Sequence, residues 1–211
     1  LGPRINAAGR MDNMRIGIEC LLTDDWSTAQ RLAQELEQLN RTRRHVEGEM
    51  RAQADNIVQA LATADSNAKN DADESDETLI QPKTEKSAID NQNRSIILYQ
   101  DDWHQGVIGI VAGRLKESHY LPSIVFAPAD TERTGDDDAI KGSARSIAGV
   151  HIRDAIEQVA ERYPDLISHF GGHAMAAGLT IKRRNFDGFV TAFNEVMAQM
   201  DEEVFAEQKF T

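Results

Sequence analysis

The residues of this sequence with the clearest chemical potential lie in HFGGHAMAAGLTI, residues 169–181. Gly171 and Gly172 free the backbone to take positive φ and let another group approach closely. Their bare amides could form a concave anion site, to which the imidazole of His173 adds a donor. The alternative interpretation is a tight Gly-Gly turn that leads into a buried strand over residues 174–181, with His173 as an ordinary turn residue.

The stretch KGSARS, residues 141–146, is predicted to place two hydroxyls and a guanidinium on one short turn. The planar fork of Arg145 matches phosphate oxygens bidentately, and the hydroxyls of Ser143 and Ser146 add donors at the same place. These residue types predict a phosphate-binding site, although the stretch alone is not specific.

The stretch WHQGVIGIVAGR, residues 103–114, has Trp103 and His104 immediately before an apolar helix. The first turn of such a helix has N–H groups without partners in the helix, which suit an anion. Three glycines give the helix a smooth face, for which close packing alone is an equal explanation. They are Gly106, Gly109 and Gly113.

The stretch GPRINAAGR, residues 2–10, surrounds small residues with Arg4, Asn6 and Arg10. Small side chains let a ligand come close to the backbone. Arginines recur beside glycines and small residues here and at Arg145, so a locally positive site is compatible with an acidic chain.

The chain as a whole is acidic, with 23 Lys and Arg, 35 Asp and Glu and a formal net charge of −12 over 211 residues. This charge at first argues against a nucleic-acid partner, because surfaces that track phosphates are usually basic. The acidic residues are unevenly placed, however. Residues 63–94 hold 8 acidic and 4 basic side chains, and residues 136–138 are all aspartates. Acidic loops of this kind are usually solvated.

The composition also bounds the location of the chain. No stretch approaches the roughly 20 apolar residues that a membrane helix needs, so no membrane association is expected. The start LGPRINAAGR lacks the charge and the apolar run of a signal peptide, and without an initiator Met it opens like a fragment. Cys20 is the only cysteine, which excludes an internal disulfide and a thiolate metal cluster. A reducing cytoplasm fits best.

A long amphipathic helix is predicted over residues 27–62, which contain no proline. Ser27 is the predicted N-cap. At 1.5 Å per residue the helix would extend on the order of 50 Å, which favours a strut between two domains. The alternative is a homodimeric coiled coil, whose apolar stripe Arg43 and Gln53 would interrupt. The stripe has the helical period, and consists of Leu32, Leu36, Leu39, Val46, Met50, Ile57 and Leu61.

Residues 63–94 are predicted to be a flexible acidic linker, because they hold too few large apolar side chains to repay the entropy of ordering. After them strands and helices alternate, which predicts an α/β domain with a central β-sheet flanked by helices over residues 95–200. The predicted strands are SIILYQ, PSIVFAP, AIKGSARSI and AMAAGLTI. The predicted helices are HQGVIGIVAGRLKESHY, GVHIRDAIEQVAERY and NFDGFVTAFNEVMAQM.

Taken together and in this order, LGPRINAAGRM, DWHQGVIGIVAGRL, KGSARSI and FGGHAMAAGL resemble the RecJ family of single-strand-specific 5′ to 3′ DNA exonucleases, within the DHH phosphoesterase superfamily. The resemblance covers nearly the whole chain outside the predicted linker. It implies a tail of the DHH catalytic domain over residues 1–26, a connecting helix over 27–62, the linker over 63–94, a DHHA1 domain over 95–200 and a tail toward a downstream domain over 201–211.

The resemblance implies that the chain supplies the substrate-binding side of a groove in an enzyme that hydrolyses phosphodiester bonds of single-stranded DNA in repair and recombination. Gly171, Gly172 and His173 resemble the GGH substrate motif of the family, with His173 in a catalytic role. The other expected substrate-binding residues are Arg4, Asn6, Arg10, His104, Ser143, Arg145 and Ser146.

The resemblance also implies Mn²⁺ or Mg²⁺ in the full-length enzyme, to activate water against the phosphodiester. The metal-binding aspartates and paired histidines of the family lie upstream of Leu1, and this chain has no DHH triplet, so it is expected to bind no metal itself. Single-stranded DNA is the expected partner, and a single-strand-binding protein and a helicase are candidate protein partners.

One residue departs from the family pattern, and the sequence leaves two alternative functions. Ala144 stands where the family commonly has a glycine in GSGRS, and its methyl could crowd a close backbone approach. A non-catalytic DHHA1 module that binds nucleic acid is the first alternative, against which the GPRINAAGR stretch argues. The second is a metallohydrolase complete within the chain, but His169 and His173 straddle a Gly-Gly pair that is not expected to be helical.

Overall fold

The computed structural model describes residues 2–68, 87–88, 94–129 and 135–205, and of residues 62–68 and 87–88 it describes only the backbone. The chain divides into two compact units, Leu1–Ala52 and Gln53–Thr211. None of the helices in the described ranges combines the length and the apolar character needed to cross a bilayer.

The first unit is helical and is built from α1 (Gly2–Met11), α2 (Arg15–Leu22) and the first part of α3 (Trp26–Ala68). The GPRINAAGR stretch forms α1. Proline fits near the start of a helix because the N–H that it lacks would have no partner there. Small residues let α1 and α2 approach closely, since a Cβ at Gly17 would lie only 2.9 Å from Cγ2 of Ile5.

The long helix α3 runs over 43 residues and extends past both ends of the predicted range. Its N-cap is Asp25 and not the predicted Ser27. The Asp25 carboxylate accepts hydrogen bonds from the Ser27 hydroxyl at 2.6 Å and from the Thr28 N–H at 2.8 Å. These bonds, that from Ser27 first, lower the pKa of Asp25 to about 2. A capping carboxylate at this end also suits the helix dipole.

The second unit contains a six-stranded sheet in the order β1-β2-β3-β4-β6-β5. Strands β2 and β3 run parallel, and the other neighbours pair antiparallel. The strands are β1 (Ser87–Ala88), β2 (Ile96–Tyr99), β3 (Ser123–Pro128), β4 (Ala139–Arg145), β5 (Ile167–Gly172) and β6 (Ala176–Lys182). The predicted α/β domain is confirmed, but β5 is a strand where the sequence suggested a turn, and β6 begins two residues later than expected.

Helices cover the two faces of the sheet unequally. They are α4 (Ile108–His119), α5 (Ile152–Arg162) and α6 (Phe186–Ala198). Helix α4 packs on β3 and β4 through an apolar face that includes Val111 and Leu115. On the opposite face, α5 and α6 enclose the main core, where Phe126 of β3 makes edge-on ring contacts with Phe186 and Phe189 of α6. On the face of the sheet that α4 covers at β3 and β4, the part formed by β5 and β6 is partly open.

The ends of the predicted linker have defined structure, and the rest of it, residues 69–86 and 89–93, lies outside the described ranges. Residues 63–68 continue α3, and Ser87–Ala88 pairs antiparallel with β2. At the other end, the Arg94 guanidinium donates to the carbonyl of Met200 and to the carboxylate of Glu202, 3.2 Å away. Arg94, the last residue of the predicted linker, is therefore bonded to the segment that follows α6.

Part of the predicted C-terminal tail, residues 201–211, also packs on the domain. Residues Glu202–Phe205 form a 3-10 turn, and Arg94 lies over the ring of Phe205 at 5.2 Å. Val204 packs against the core beside Gly149, which has a φ of +90°. Residues 206–211 lie outside the described ranges.

Candidate functional site

Strand β4 displays the KGSAR residues on two faces of the sheet and not on one turn, which corrects the sequence-based interpretation of that stretch. Successive side chains of a strand point to opposite faces. Ala144 is fully buried in the core under α5 and α6, whereas Ser143 and Arg145 are half-buried on the face toward α4. The methyl of Ala144 therefore points away from the face where a ligand could approach Arg145.

The guanidinium of Arg145 is held by its own strand. Its Nη1 donates to Oγ of Ser143 at 3.1 Å and to the carbonyl of Ala144 at 2.8 Å. These bonds limit the rotamers of a long side chain before any ligand arrives, and a fork held in this way loses less entropy on binding an anion. The structure thus brings the guanidinium and one hydroxyl together.

The first turn of α4 lies directly beside this pair. A Cβ at Gly109 would be 2.9 Å from Nη2 of Arg145 and 2.9 Å from Oγ of Ser143. No side chain caps this end of α4 within the described ranges. In its first turn the Ile110 N–H donates to the Val107 carbonyl at 2.9 Å, so the N–H groups of Ile108 and Gly109 are the ones that could serve a ligand. A guanidinium, a hydroxyl and a positive helix end consequently converge within one small region, which is an arrangement suited to a phosphate.

His104 supports the approach to α4, and its burial favours the neutral form of the ring. Its Nδ1 accepts a hydrogen bond from the Gly106 N–H at 3.0 Å, which leaves the proton of the neutral ring on Nε2. Burial lowers the pKa of His104 below its ordinary value of 6.5. Next to it, Oε1 of Gln105 accepts from Nζ of Lys141 at 2.9 Å, and this bond ties the loop to β4.

The open part of the sheet has a glycine floor with polar borders. Gly171 of β5 and Gly178 of β6 are register partners and both are exposed. A Cβ at Gly171 would meet nothing within 4 Å, and one at Gly178 would meet only the Gly142 carbonyl, at 3.8 Å. The packing of the domain does not require glycine at either position, and the backbone there is open on this face.

The pairing of β4, β6 and β5 arranges this floor in cross-strand rows. Ser143 lies opposite Gly178, which lies opposite Gly171, and adjacent positions of one face are about 4.8 Å apart across strands and about 7 Å apart along them. The row on one side of the glycines is Arg145, Ala176 and His173, and the row on the other side is Lys141, Thr180 and His169.

The residues after the floor form a pinned hairpin turn. The His173 N–H donates to the Ala176 carbonyl at 2.8 Å, so His173 continues the register of β5 on the face of Arg145. The carbonyls of Ala174 and Met175 accept from backbone N–H groups of Ile152 at 2.9 Å and of residue 146 at 3.0 Å. These bonds fix the turn to the start of α5, and they leave the His173 side chain exposed.

Gly172 has a structural reason to be glycine that Gly171 lacks. Its φ is +155°, and a Cβ there would lie 2.5 Å from the carbonyl oxygen of Ala176 and 2.5 Å from Cα of Ala177. Both atoms are backbone and cannot move aside cheaply. The turn interpretation of HFGGH therefore accounts for Gly172, which the hairpin requires to be glycine. It does not account for Gly171, which lies on an open surface.

Ser146, expected to bind substrate, lies elsewhere. It is buried, with 1% of its surface exposed, and its hydroxyl donates to the Val150 carbonyl at 2.7 Å. This bond stabilises the connection between β4 and α5. The hydroxyl has no route to a ligand on the α4 face in this structure.

The three expected residues of the first unit do not share one face of α1. Asn6 and Arg10 are four apart and lie on the same side of the helix, while Arg4 points across it. The Arg4 guanidinium forms an ion pair with Glu37 of α3, and this contact is the first cause of the lowered pKa of Glu37. Arg4 thus joins α1 to α3.

Residues that the sequence analysis did not expect to bind substrate complete the open face. They are Lys141, His169, Gly178 and Thr180. Their relation depends on strand pairing between distant segments, and the only local signal was the period of two in AMAAGLTI. Within the described ranges no group of three or more His, Cys, Asp and Glu side chains could hold a metal ion, so no metal ligand is assigned to this face.

Comparison with known proteins shows the family to which this chain is similar. The DHHA1 domain family matches residues 92–199. The chain is 42% identical over 204 residues to the single-stranded-DNA-specific exonuclease RecJ of Haemophilus influenzae, covering 96% of this chain and 30% of that protein. It is 40% identical over 199 residues to RecJ of Escherichia coli, covering 94% and 29%.

A solved structure agrees with these sequence matches. RecJ of Thermus thermophilus, crystallised in complex with Mn²⁺, superposes with a TM-score of 0.67 at 28% identity, over 94% of this chain and 24% of that one. A structure of RecJ from the same organism in complex with Mg²⁺ matches similarly, with a TM-score of 0.66. The chain spans about 30% of the length of the curated relatives that it matches.

Proposed function

The chain belongs to the DHHA1 domain family, and from that premise we propose that it forms the substrate-binding side of a single-stranded-DNA-specific exonuclease. The observation that carries the proposal is the convergence of Arg145, Ser143 and the first turn of α4 beside a glycine floor. Similarity to RecJ proteins over nearly the whole chain supports the choice of single-stranded DNA as the ligand.

In the proposed mode of binding, the guanidinium of Arg145 contacts the oxygens of one phosphate. A planar fork can give two parallel N–H···O bonds, which fix the orientation of the phosphate as well as neutralise it. The Ser143 hydroxyl and the α4 N–H groups add donors from a second direction. Because the guanidinium already bonds to Ser143 and to the Ala144 carbonyl, little reorganisation accompanies binding.

The glycine floor would let the DNA strand lie flat on the β-sheet. At Gly171 and Gly178 no Cβ separates the ligand from the backbone, so sugars or bases could approach it directly. His173, in the row of Arg145, would donate to the same or the next phosphate, and this is the role proposed for it in catalysis. Binding of this kind reads the sugar-phosphate backbone and carries little sequence information.

The metal chemistry is proposed for residues outside this face. When bound, Mn²⁺ or Mg²⁺ would activate water against the phosphodiester, and the solved RecJ structures contain these ions. The described residues of this chain offer no fitting group of ligands. Their proposed role is therefore to hold and orient the phosphate.

The test is binding of a fluorescent 5′-phosphorylated oligothymidylate by the full-length gene product carrying Arg145→Ala. Loss of a charged bidentate contact should weaken binding by about 1.5 to 3 kcal/mol, or roughly 10-fold to 150-fold. Arg145→Lys should restore little, because a point charge cannot reproduce the fork. Melting temperatures of both variants should stay within a few degrees of wild type.

Arg162→Ala is the matched control, since it removes the same charge from α5 on the opposite face of the sheet, where the exposed Arg162 donates to the side chain of Gln199 at 2.8 Å. It should change affinity less than about twofold. Equal losses from Arg145→Ala and Arg162→Ala would mean that the open face is not the binding site. Binding without any release of nucleotides by the full-length protein would favour the non-catalytic alternative.

Two finer proposals rest on the family resemblance and on composition. A single-strand-binding protein and a helicase are proposed to act with the full-length protein on DNA, for which the resemblance alone is the support. A cytoplasmic location is proposed from the single cysteine, Cys20, and from the DNA substrate.

A further inference from the structure

We propose that Gly109 of α4 is a positioning residue, whose missing side chain sets the place of the Arg145 guanidinium and the Ser143 hydroxyl. This proposal rests on the proposed function, because it concerns the same phosphate-binding face. Gly109 itself need not touch the ligand. Its contribution is the space between the first turn of α4 and strand β4.

The geometry at Gly109 is unusually specific. A Cβ there would lie 2.9 Å from Nη2 of Arg145, 3.7 Å from its Cζ and 2.9 Å from Oγ of Ser143. Contacts under 3 Å between such atoms are repulsive, so one methyl group would have to displace both of the side chains that the site depends on. The three nearest atoms that it would meet all belong to the side chains of Arg145 and Ser143, which are proposed to bind the ligand.

The cost of this displacement should fall on binding and not on folding. The guanidinium is the far end of a long side chain outside the core, so it can move aside by giving up its bonds to Ser143 and to the Ala144 carbonyl without disturbing core packing. Alanine is also a better helix former than glycine, which favours the substituted helix. A residue retained only for close packing would behave in the opposite way, because its substitution would lower stability first.

Helix α4 provides its own control one turn later. Gly113 lies four residues after Gly109, and a Cβ at Gly113 would meet nothing within 4 Å. The two glycines lie in the same helix. They differ in that a side chain at Gly109 would meet Arg145 and Ser143, whereas one at Gly113 would meet open space. Gly113→Ala should therefore gain the same helix propensity without moving Arg145.

The experiment compares Gly109→Ala, Gly113→Ala, Arg145→Ala and the double variant Gly109→Ala/Arg145→Ala in the full-length gene product, with the fluorescent oligothymidylate as the probe. Gly109→Ala should weaken binding about tenfold, a large part of the loss expected for Arg145→Ala. Gly113→Ala should leave affinity within about twofold. Both glycine variants should melt at or above the wild-type temperature.

The double variant distinguishes positioning from a separate effect. If Gly109 acts through Arg145, adding Gly109→Ala to Arg145→Ala should weaken binding by less than about twofold, since coupled residues are not additive. Full additivity, or unchanged affinity in Gly109→Ala, would overturn the proposal while leaving the Arg145 result intact. An Arg145→Ala variant that binds like wild type would instead reject the proposed function, and the proposal for Gly109 with it.

Discussion

At the scale of single residues, adjacent glycines of β5 are retained for different reasons. Gly172 is required by the hairpin, because a side chain would collide with backbone atoms of Ala176 and Ala177. Gly171 has open space above it, in the middle of the proposed binding face. A pair that looks uniform in sequence therefore combines a position that the hairpin requires to be glycine and a position that is open on the proposed binding face.

We predict that Gly172→Ala lowers the free energy of unfolding of this chain by more than about 1 kcal/mol, through strain at positive φ and a contact that cannot relax. Gly171→Ala should change it by less than about 0.5 kcal/mol, yet weaken binding of the oligothymidylate by the full-length protein. Urea unfolding followed by circular dichroism and fluorescence anisotropy measure the two effects.

The paired substitutions control for each other, since each adds one methyl group to the same strand. Intact binding in a folded Gly171→Ala variant would show that the ligand does not approach the floor at this position. Equal destabilisation by both substitutions would show that the pair is simply a structural feature of the hairpin.

At the scale of elements, the carboxyl end of the described chain acts as a clasp on the domain, formed by Arg94 and residues 202–205. Arg94 holds the backbone after α6, and Val204 lies on Gly149 at the turn before α5. Because Gly149 has a φ of +90° and a Cβ would lie 2.9 Å from Cγ1 of Val204, this turn tolerates no larger residue without strain.

Gly149→Ala should accordingly destabilise the domain by about 1 to 2 kcal/mol. The control is Gly48→Ala, at an exposed position of α3 where a Cβ meets nothing within 4 Å and where alanine should stabilise the helix by up to about 1 kcal/mol. Thermal unfolding by calorimetry distinguishes them. A Gly149→Ala variant as stable as wild type would mean that the clasp is loose in solution.

The elements also show what the sequence could predict. The helical stripe of Leu32 and Leu36 and the apolar runs of β2 and β3 follow from periodicity, and these elements are where they were expected. Strand β5 was not predicted, because its exposed His169 and glycines do not form an alternating apolar pattern. Its identity as a strand depends on pairing with β6, which local sequence does not encode.

The site was predictable to a lesser extent for the same reason. Residue types singled out Ser143 and Arg145, but as parts of a turn. They share a face because they lie two apart in strand β4, and the strand was not part of that argument. The burial of Ser146 depends on the carbonyl of Val150, and the ion pair of Arg4 depends on Glu37, 33 positions away. Such partners are chosen by tertiary contacts, which composition and spacing do not specify.

At the scale of the whole molecule, a chain with a net charge of −12 carries its proposed phosphate-binding groups on one small face. Strand β4 contributes Arg145 and Lys141 to that face, and Lys182 of β6 lies on the same face, where it pairs with Asp137. Repulsion from the remaining surface should disfavour unspecific contacts with DNA. Binding would then require the DNA strand to lie on this face.

We predict that the 211-residue chain by itself releases no nucleotides from 5′-phosphorylated single-stranded DNA in the presence of Mn²⁺, because its described residues offer no group of metal ligands. The full-length gene product, assayed under the same conditions, should release them. Metal-dependent release by the chain alone, abolished by a substitution within it, would show that the active site has been misplaced.

The alternation of β4 has a consequence for how this protein can change over generations. Positions 140, 142 and 144 face the core, while positions 141, 143 and 145 lie on the face toward α4, where the ligand contacts are proposed. If the proposed function holds, substitutions that affect stability and substitutions that affect recognition fall at alternating positions of one strand. The face toward α4 could then change to recognise another backbone chemistry while the core stays the same.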